Sequence, residues 1–333
     1  MKIESFYSDY FLKFNVISTD SRKVVKDSIF ISLSGENFNG NRFASSALEN
    51  GAALAVVDDA DFFVDNGKYV LVDDSLTFLQ KLANYHRTHF NCPVLAITGT
   101  NGKTTTKELV AGALLLKFKT YYTQGNLNNQ IGVPLTLLSV NPNDAQFVVV
   151  EMGANHLTDI QELCDIAQPD YALITSVGKA HLEGFGSIDA VVKTKTDLYR
   201  FVEKNHGICF VNADSELLMN NKPNSNFILY GTNRNDVYLT CWGMPDSNKV
   251  NVSFKWRYGT EAICNVSSSL YGQYNYLNML AAACVACFFG VDCFDVNDFL
   301  SKFNTNNNRS QIIEKENVTI ISDAYNANPS SVD

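Results

Sequence analysis

The sequence predicts an α/β protein with a small N-terminal α/β domain, then a P-loop mononucleotide-binding domain on a parallel sheet that carries a small antiparallel β appendage. Three observations predict this fold class. Apolar strand segments alternate with helical segments from residue 92 to about 314, which is typical of a parallel sheet. A glycine-rich turn, residues 99–102, joins one of these strands to a helix. Residues 250–258 alternate with period two, which indicates a half-exposed antiparallel strand.

The chain has 333 residues, a length that accommodates two or three domains, and its hydrophobic content of 46% is that of an ordinary globular protein. The net charge of −9 argues against nucleic-acid binding and against an anionic membrane surface. Residues 280–291 form the longest apolar run, which is too short to cross a bilayer. The eight scattered cysteines and the absence of a signal-peptide pattern predict reduced thiols and a cytoplasmic protein. Cys284 and Cys287 lie in an apolar helical pattern, so we interpret them as buried small residues.

Three segments are predicted as domains: 1–91, 92–314 and 315–333. Strands of the first two segments are expected at 29–33, 54–57, 69–72, 94–97, 119–123, 147–150, 171–175 and 208–212. Helices are expected at 42–50, at 75–90 with Ser75 as the N-cap, at 107–116, at 273–289 and at 295–303. A strand at 318–323 opens just before residue 333, so we expect a third domain of which most is absent from this chain.

The turn Gly99-Thr-Asn-Gly-Lys-Thr104 follows an apolar strand and precedes a helix. A strand, a glycine-rich turn and a helix N-terminus together direct backbone N–H groups at a phosphate. Lys103 is expected to reach the β- and γ-phosphates, and the Thr104 hydroxyl is expected to bind Mg²⁺. Ile97 stands where the usual P-loop has a glycine, so this loop is a shorter form. The alternative is a turn whose glycines serve geometry alone.

Polar residues after other strands are further candidates, because ligands on parallel sheets gather at the carboxyl ends of strands. Glu151 ends the apolar strand at 147–150 and is expected to hold Mg²⁺, unless it is a strand-end carboxylate in solvent. His181 follows the next strand and is a candidate second-metal ligand, although a lone histidine is more often structural. Lys193 and Lys195 lie in a helical stretch, where the default for both is a solvated face.

Seven motifs, taken together, resemble those of the Mur ligase family of ATP-dependent amide-forming enzymes. They span nearly the whole chain in the family's order: Asp20-Ser-Arg-Lys-Val24, Gly99-Thr-Asn-Gly-Lys-Thr-Thr105, Gly125-Asn-Leu-Asn-Asn-Gln-Ile-Gly-Val-Pro-Leu-Thr136, Glu151-Met-Gly-Ala-Asn-His156, Ala180-His-Leu-Glu-Gly-Phe-Gly186, Asn275-Tyr-Leu-Asn-Met-Leu-Ala-Ala282 and Asp323-Ala-Tyr-Asn-Ala-Asn-Pro329. The motif at 151–156 resembles the branch that adds D-Ala-D-Ala, since the branch that adds diaminopimelate or lysine has a Ser-Ser-His form there.

The resemblance implies an ADP-forming ligase that joins D-Ala-D-Ala to UDP-N-acetylmuramoyl-tripeptide through an acyl phosphate, in cytoplasmic peptidoglycan precursor synthesis. It implies a UDP-substrate domain at 1–91, an ATP-binding domain at 92–314 and the start of a truncated Rossmann-like domain at 315–333. It also implies ATP and two Mg²⁺ ions as cofactors and a carbamate on Lys195. We expect a monomer that does not bind nucleic acid and does not insert into a membrane.

The resemblance also implies residue roles, which we give by group. The catalytic residues are Lys103, His181 and Lys195, and the metal ligands are Thr104, Glu151, His181 and Lys195. The nucleotide contacts are Gly99, Thr100, Asn101, Gly102, Lys103, Thr104, Thr105, Asn275, Asn278 and Arg309. The substrate contacts are Ser21, Arg22, Asn126, Asn128 and Asn129.

Two other functions are considered. One is a different amide ligase on the same scaffold, similar to folylpolyglutamate or cyanophycin synthetase, although a UDP-substrate module at 1–91 is not expected in the folate relative. The other is a P-loop protein that binds nucleotide as a switch without making a bond. Glu151, His181 and Lys195 together argue against the switch, which has little need of a second metal site.

Overall fold

The computed structural model describes residues 2–178, 185–232, 239–304, 311–315 and 318–322. It divides into two compact units. Unit 1 comprises Met1–Asn91, Leu127–Ala145 and Asp165–Gln168, and unit 2 comprises Cys92–Asn126, Gln146–Cys164 and Pro169–Asp333. The predicted candidates His181 and Arg309 lie outside the described residues.

Unit 1 is built on a four-stranded parallel sheet with the strand order β1-β2-β5-β6. Its helices are α1 (Ile3–Phe6), which continues as a π-helix (Tyr7–Phe11) into α2 (Leu12–Phe14), α3 (Ala44–Glu49), α4 (Ser75–Arg87) and α6 (Gly132–Leu138). Its strands are β1 (Ile17–Ser18), β2 (Ile29–Ile31), the hairpin pair β3 (Ser34–Gly35) and β4 (Phe38–Asn39), β5 (Leu54–Val57) and β6 (Tyr69–Leu71). Strands β2 and β5 are buried along their whole length, as their apolar runs predict.

Residues 127–145 join unit 1 in the structure, whereas the predicted boundaries placed them in the middle domain. The reason is that α6 packs against α4, and the chain on both sides of α6 forms hydrogen bonds with the same helix. The imidazole Nε2 of His86 lies 2.8 Å from the carbonyl of Val140, and the amide of Gln80 donates to the carbonyl of Gln130. The boundaries 1–91, 92–314 and 315–333 stay predictions.

The predicted N-cap of α4, Ser75, is wrong. Asp74 is the N-cap, and its carboxylate accepts the N–H of Thr77 at 2.6 Å, while the Ser75 side chain is buried. Both residue types cap helices well, and only the backbone course decides which of two neighbours holds the extended N-cap conformation.

Unit 2 is built on a nine-stranded sheet with the order β15-β14-β13-β12-β11-β10-β7-β9-β8. Its strands are β7 (Val94–Thr98), β8 (Thr120–Tyr122), β9 (Phe147–Glu151), β10 (Tyr171–Ile174), β11 (Ile208–Asn212), β12 (Phe227–Thr232), β13 (Cys241–Pro245), β14 (Asn251–Tyr258) and β15 (Cys264–Tyr271). Its helices are α5 (Lys103–Leu115), α7 (Asp159–Ala167, whose last residues belong to unit 1), α8 (Ile188–Lys204), α9 (Glu216–Asn220), α10 (Asn275–Phe288) and α11 (Cys293–Lys302). A separate hairpin pairs β16 (Gln311–Lys315) with β17 (Val318–Ser322).

Strand β7 lies inside the parallel region, between β9 and β10. After β7 the chain runs to β8 and β9 on one side, and it then crosses to β10 on the other side. Ligands on open parallel sheets bind at such a reversal of strand order. The fold therefore marks the carboxyl ends of β7, β9 and β10 as the place for a site.

The predicted antiparallel segment is confirmed, but it continues the main sheet. Strand β13 is parallel to β12, and β14 and β15 follow in antiparallel pairing. Burial alternates strictly along β15, as expected for a strand with one covered face. Strand β13 was not predicted, since it contains Gly243 and Pro245, residues that are rare in strands. The predicted fold class is confirmed.

Two further sequence interpretations concern apolar segments. Cys284 and Cys287 are buried within α10, as predicted. In the part of the chain that the structure describes, no helix combines the length and the apolar character needed to cross a membrane.

Candidate active site

The glycine-rich turn connects β7 to α5 through two glycines with positive φ. Gly99 has a φ of +153° and Gly102 has a φ of +80°. A Cβ atom on Gly99 would lie 2.0 Å from the hydroxyl of Thr175, and one on Gly102 would lie 2.6 Å from the side-chain oxygen of Asn278. Both glycines are therefore required by backbone geometry and by close approach of neighbouring residues.

We expect Gly99→Ala to lower the free energy of unfolding by about 1–3 kcal/mol, because the backbone conformation is strained for alanine and the Thr175 hydroxyl must move. The displaced loop should also lose nucleotide affinity. Chemical denaturation and ADP titration check the two effects. Gly67→Ala is the matched control for positive φ, since a Cβ there meets no atom within 4 Å. Equal nucleotide affinity in Gly99→Ala and the parent chain would contradict the proposed loop geometry.

The loop is braced by the residues that follow β10. The Thr175 hydroxyl donates to the carbonyl of Asn101 at 2.6 Å, and the Ser176 hydroxyl accepts the N–H of Asn101 at 3.0 Å. The N–H of Thr100 donates to the carbonyl of Ser176 at 2.8 Å. Sequence reasoning singled out the segment after β10 but did not name Thr175 and Ser176 as site residues. Their signal was their place at a strand end beside the predicted P-loop.

Lys103 is the first residue of α5, and its side chain is half-buried. Its ammonium donates to the carbonyls of Gly99 at 2.9 Å and Thr100 at 3.0 Å, which holds it over its own loop. The N-cap residue, Gly102, supplies no side-chain acceptor to the first turn of the helix. The ammonium and the helix N-terminus together form a positive end suited to a phosphate.

Thr104 and Glu151 meet as the sequence predicts. The Thr104 hydroxyl donates to Oε1 of Glu151 at 3.1 Å, and Glu151 is 0% exposed. The alternative of a strand-end carboxylate in solvent is therefore wrong. A hydroxyl and a carboxylate thus lie together next to the phosphate loop. Oxygen ligands of this kind are those that bind Mg²⁺ together with the phosphates of a nucleotide. Within the described ranges there is no group of three or more His, Cys, Asp or Glu side chains that could hold a metal, and Mg²⁺ on a nucleotide does not need one.

Lys195 lies on α8 and is buried, with 3% of its surface exposed, whereas Lys193 on the same helix is exposed. The solvated face that chemistry alone gives as the default does not hold for Lys195, for which the resemblance implies a site role, and it holds for Lys193. Burial and, to a smaller extent, the nearby Lys103 ammonium lower the pKa of Lys195, Asp159 acts in the opposite direction, and the resulting pKa is about 7. The structure thus brings Lys195 into the field of Lys103, with much of its amine neutral near pH 7.

Asn275 and Asn278 begin α10, which packs against α5. The Asn278 side-chain oxygen accepts the hydroxyl of Thr106 at 3.1 Å, and its amide donates to the side-chain oxygen of Asn275 at 3.0 Å. The structure therefore brings both predicted nucleotide contacts to the helix that carries the P-loop. Thr106, which joins them to that helix, was not predicted.

The predicted substrate contacts are described within their own units. In unit 1, the exposed guanidinium of Arg22 forms two hydrogen bonds of 2.9 Å with Asp20, and these lower the pKa of that carboxyl to about 2. The half-buried Ser21 begins the same 3₁₀ turn.

Asn129 has a structural role, since its side-chain oxygen accepts the N–H groups of Ile131 and Gly132 at the start of α6. Asn128 is half-buried in unit 1, and Asn126 is exposed at the end of a unit 2 segment.

Comparison with known proteins identifies the family of the chain. Residues 97–286 match the Mur ligase middle domain, and residues 13–87 match the Mur ligase family catalytic domain. The chain belongs to the Mur ligase family. The family predicted from the motifs is confirmed.

This Mur ligase is similar to curated proteins named UDP-N-acetylmuramoyl-tripeptide–D-alanyl-D-alanine ligase. The one from Bacillus subtilis is 31% identical over 318 residues, which is 95% of this chain and 68% of the relative. The one from Escherichia coli is 33% identical over 335 residues, which is 96% of this chain and 70% of the relative.

Two solved structures of this branch are similar to the Mur ligase described here. A crystal structure of MurF from Acinetobacter baumannii has a TM-score of 0.85 at 29% identity, and the match covers 96% of this chain and 69% of the other. MurF from Thermotoga maritima in complex with ADP has a TM-score of 0.82 at 30% identity, with 96% and 73% covered.

Proposed function

We propose that this Mur ligase joins D-Ala-D-Ala to UDP-N-acetylmuramoyl-tripeptide and converts ATP to ADP and phosphate in doing so. The observation that carries the proposal is the group formed by Lys103, the Thr104–Glu151 pair and Lys195 near the carboxyl ends of β7 and β9. The substrate assignment is supported by relatives named UDP-N-acetylmuramoyl-tripeptide–D-alanyl-D-alanine ligase, such as the Bacillus subtilis protein, which aligns with 95% of this chain.

ATP is bound by the loop at 99–105, with Lys103 at the β- and γ-phosphates. Asn275 and Asn278 contact the adenine, which is supported by the contact of Asn278 with Thr106 on the P-loop helix. Arg309 is a further nucleotide contact in this proposal. The similarity to a MurF structure that holds ADP supports ATP use.

Thr104 and Glu151 hold one Mg²⁺, and their 3.1 Å contact supports this pairing. His181 and a modified Lys195 hold a second Mg²⁺. When bound, Mg²⁺ offsets the negative charge of the phosphoryl oxygens. Lys103 adds a positive charge at the same place, so that an anionic carboxylate can approach the γ-phosphate.

Lys195 becomes an N-carboxylate. Its neutral amine attacks the carbon of CO₂, a nitrogen–carbon bond forms, one carbon–oxygen π bond opens onto oxygen, and the nitrogen loses a proton. The resulting carbamate is negatively charged, whereas the unmodified, protonated lysine is positively charged. A pKa of about 7 supports this step because only the neutral amine is a nucleophile.

The reaction then proceeds by two transfers on the substrates. The terminal carboxylate of the tripeptide attacks the γ-phosphorus of ATP, the bond to ADP breaks, and an acyl phosphate forms. The amine of D-Ala-D-Ala attacks the acyl carbon, phosphate leaves with the bonding electron pair, and the nitrogen loses a proton. ATP thus supplies the leaving group that a carboxylate lacks.

The remaining assignments concern the substrate and the setting. Ser21 and Arg22 lie near the UDP end of the substrate, and Asn126, Asn128 and Asn129 contact substrate or nucleotide. The enzyme acts in the cytoplasm as a monomer.

Transfer of oxygen-18 tests the acyl-phosphate step. Tripeptide substrate labelled in its terminal carboxylate is incubated with ATP, Mg²⁺ and D-Ala-D-Ala, and the released phosphate is analysed by mass. We expect one labelled oxygen in the phosphate, because the carboxylate oxygen remains on phosphorus. Ligation with unlabelled phosphate would exclude the acyl phosphate while retaining the ligase.

A further inference from the structure

Lys107 is a buried lysine with no role in the reaction as described above. It lies on α5 one turn after Lys103, and its side chain is 0% exposed. Its ammonium donates to the carbonyls of Thr123 at 2.7 Å and Gly125 at 3.3 Å, and it pairs with Glu108 at 2.8 Å. An ammonium out of water is stable only with several partners, so this set is a built environment and not a chance contact.

The same ammonium lies beside the proposed metal ligand. Lys107 Nζ is 4.0 Å from Oε2 of Glu151, whose other oxygen, Oε1, accepts the Thr104 hydroxyl. The backbone N–H of Glu151 also donates to the Thr123 hydroxyl at 2.9 Å. Thr123 therefore holds Glu151 through its hydroxyl and Lys107 through its carbonyl, and the three residues form one connected set.

We propose that Lys107 is a positioning residue for the nucleotide-bound Mg²⁺. Its charge attracts Oε2 of Glu151 and leaves Oε1 directed at Thr104, and its hydrogen bonds fix residues 123–125, which lead directly to Asn126. The inference rests on the proposed role of Glu151 as a Mg²⁺ ligand. Partners that orient a metal ligand contribute about ten- to hundredfold to metal affinity.

A purely structural lysine would behave differently. It would hold the loop at 123–125 and α5 together, and its loss would weaken the fold without a specific effect on Mg²⁺. A positioning lysine acts through Glu151, so its effect must depend on the Glu151 carboxylate. Energetic coupling between the two residues separates these roles.

The test is a calorimetric titration of the full chain with ADP, repeated at a series of MgCl₂ concentrations. In Lys107→Met we expect the Mg²⁺ concentration for half-maximal enhancement of ADP binding to rise about tenfold, with ADP affinity in the absence of Mg²⁺ changed less than about twofold. Lys107→Gln is the second variant, because it removes the charge and retains a donor for the Thr123 carbonyl. The exposed Lys119 provides the control Lys119→Met, which should leave both values unchanged.

The same titration in a Glu151→Gln background completes the test. We expect Lys107→Met to raise the Mg²⁺ requirement by less than about threefold there, since the carboxylate it orients is gone. An equal effect in both backgrounds, or no effect of either Lys107 variant, would overturn the proposal. Failure of the proposed function has a different signature, namely that Glu151→Gln alone leaves the Mg²⁺ requirement unchanged.

Discussion

Lys103→Met is expected to lower kcat for ligation by about 10²- to 10³-fold, because it removes a preorganised positive charge from the phosphoryl group during transfer. The fold should remain, since the side chain is half-buried and two of its hydrogen bonds go to carbonyls of its own loop. Phosphate release measured at saturating substrates gives kcat, and thermal unfolding gives stability.

The control for this variant is Lys119→Met, which removes an exposed lysine of unit 2 and should keep normal activity and stability. A Lys103→Met enzyme with a rate within about threefold of the parent would show that the phosphate site is elsewhere. Lost activity together with lost folding would instead assign Lys103 to the structure of the loop.

Lys195→Ala is expected to lower kcat by about 10²-fold and to abolish the response to CO₂. In the parent enzyme, the pKa of about 7 means that the Lys195 amine is mostly protonated below pH 7 and mostly neutral above it. The carbamate should therefore accumulate as the pH rises through 7 and be lost as it falls. With ¹³C-bicarbonate, NMR should give a carbamate carbon signal that follows this pH dependence.

Lys193→Ala is the matched control, because Lys193 lies on the same helix and is exposed. It should retain the carbamate signal and the activity. A signal that persists in Lys195→Ala would assign the modification to another amine. Full parental activity in CO₂-free buffer, with no signal, would exclude a carbamate from the mechanism.

Local patterns predicted much of unit 2. The apolar run before the turn at 99–102 predicted β7, and the strand ending at Glu151 predicted β9, because both strands are buried on both faces and read as continuous apolar segments. The rule that ligands gather at strand ends then predicted the meeting of Thr104 with Glu151, which lie 47 positions apart.

Other features depend on contacts that no local pattern encodes. Lys107 appears in the sequence as one more charged helix residue, and only the packing of α5 against the ends of β8 and β9 shows its burial. The burial of Lys195 beside exposed Lys193 also depends on tertiary packing, in this case of α8 against β10 and β11. The pairing of β13 with β12, and the attachment of residues 127–145 to unit 1, are likewise decided by tertiary packing.

The most direct test of the proposed ligase is phosphate release from Mg²⁺-ATP by the full chain, with UDP-N-acetylmuramoyl-tripeptide and D-Ala-D-Ala present and then each omitted in turn. We predict sustained release only when both are present, with a nucleotide-sugar product heavier by the dipeptide. Release that is indifferent to both substrates would contradict the ligase and favour a nucleotide switch, and release that requires another acceptor would retain the chemistry and change the substrate.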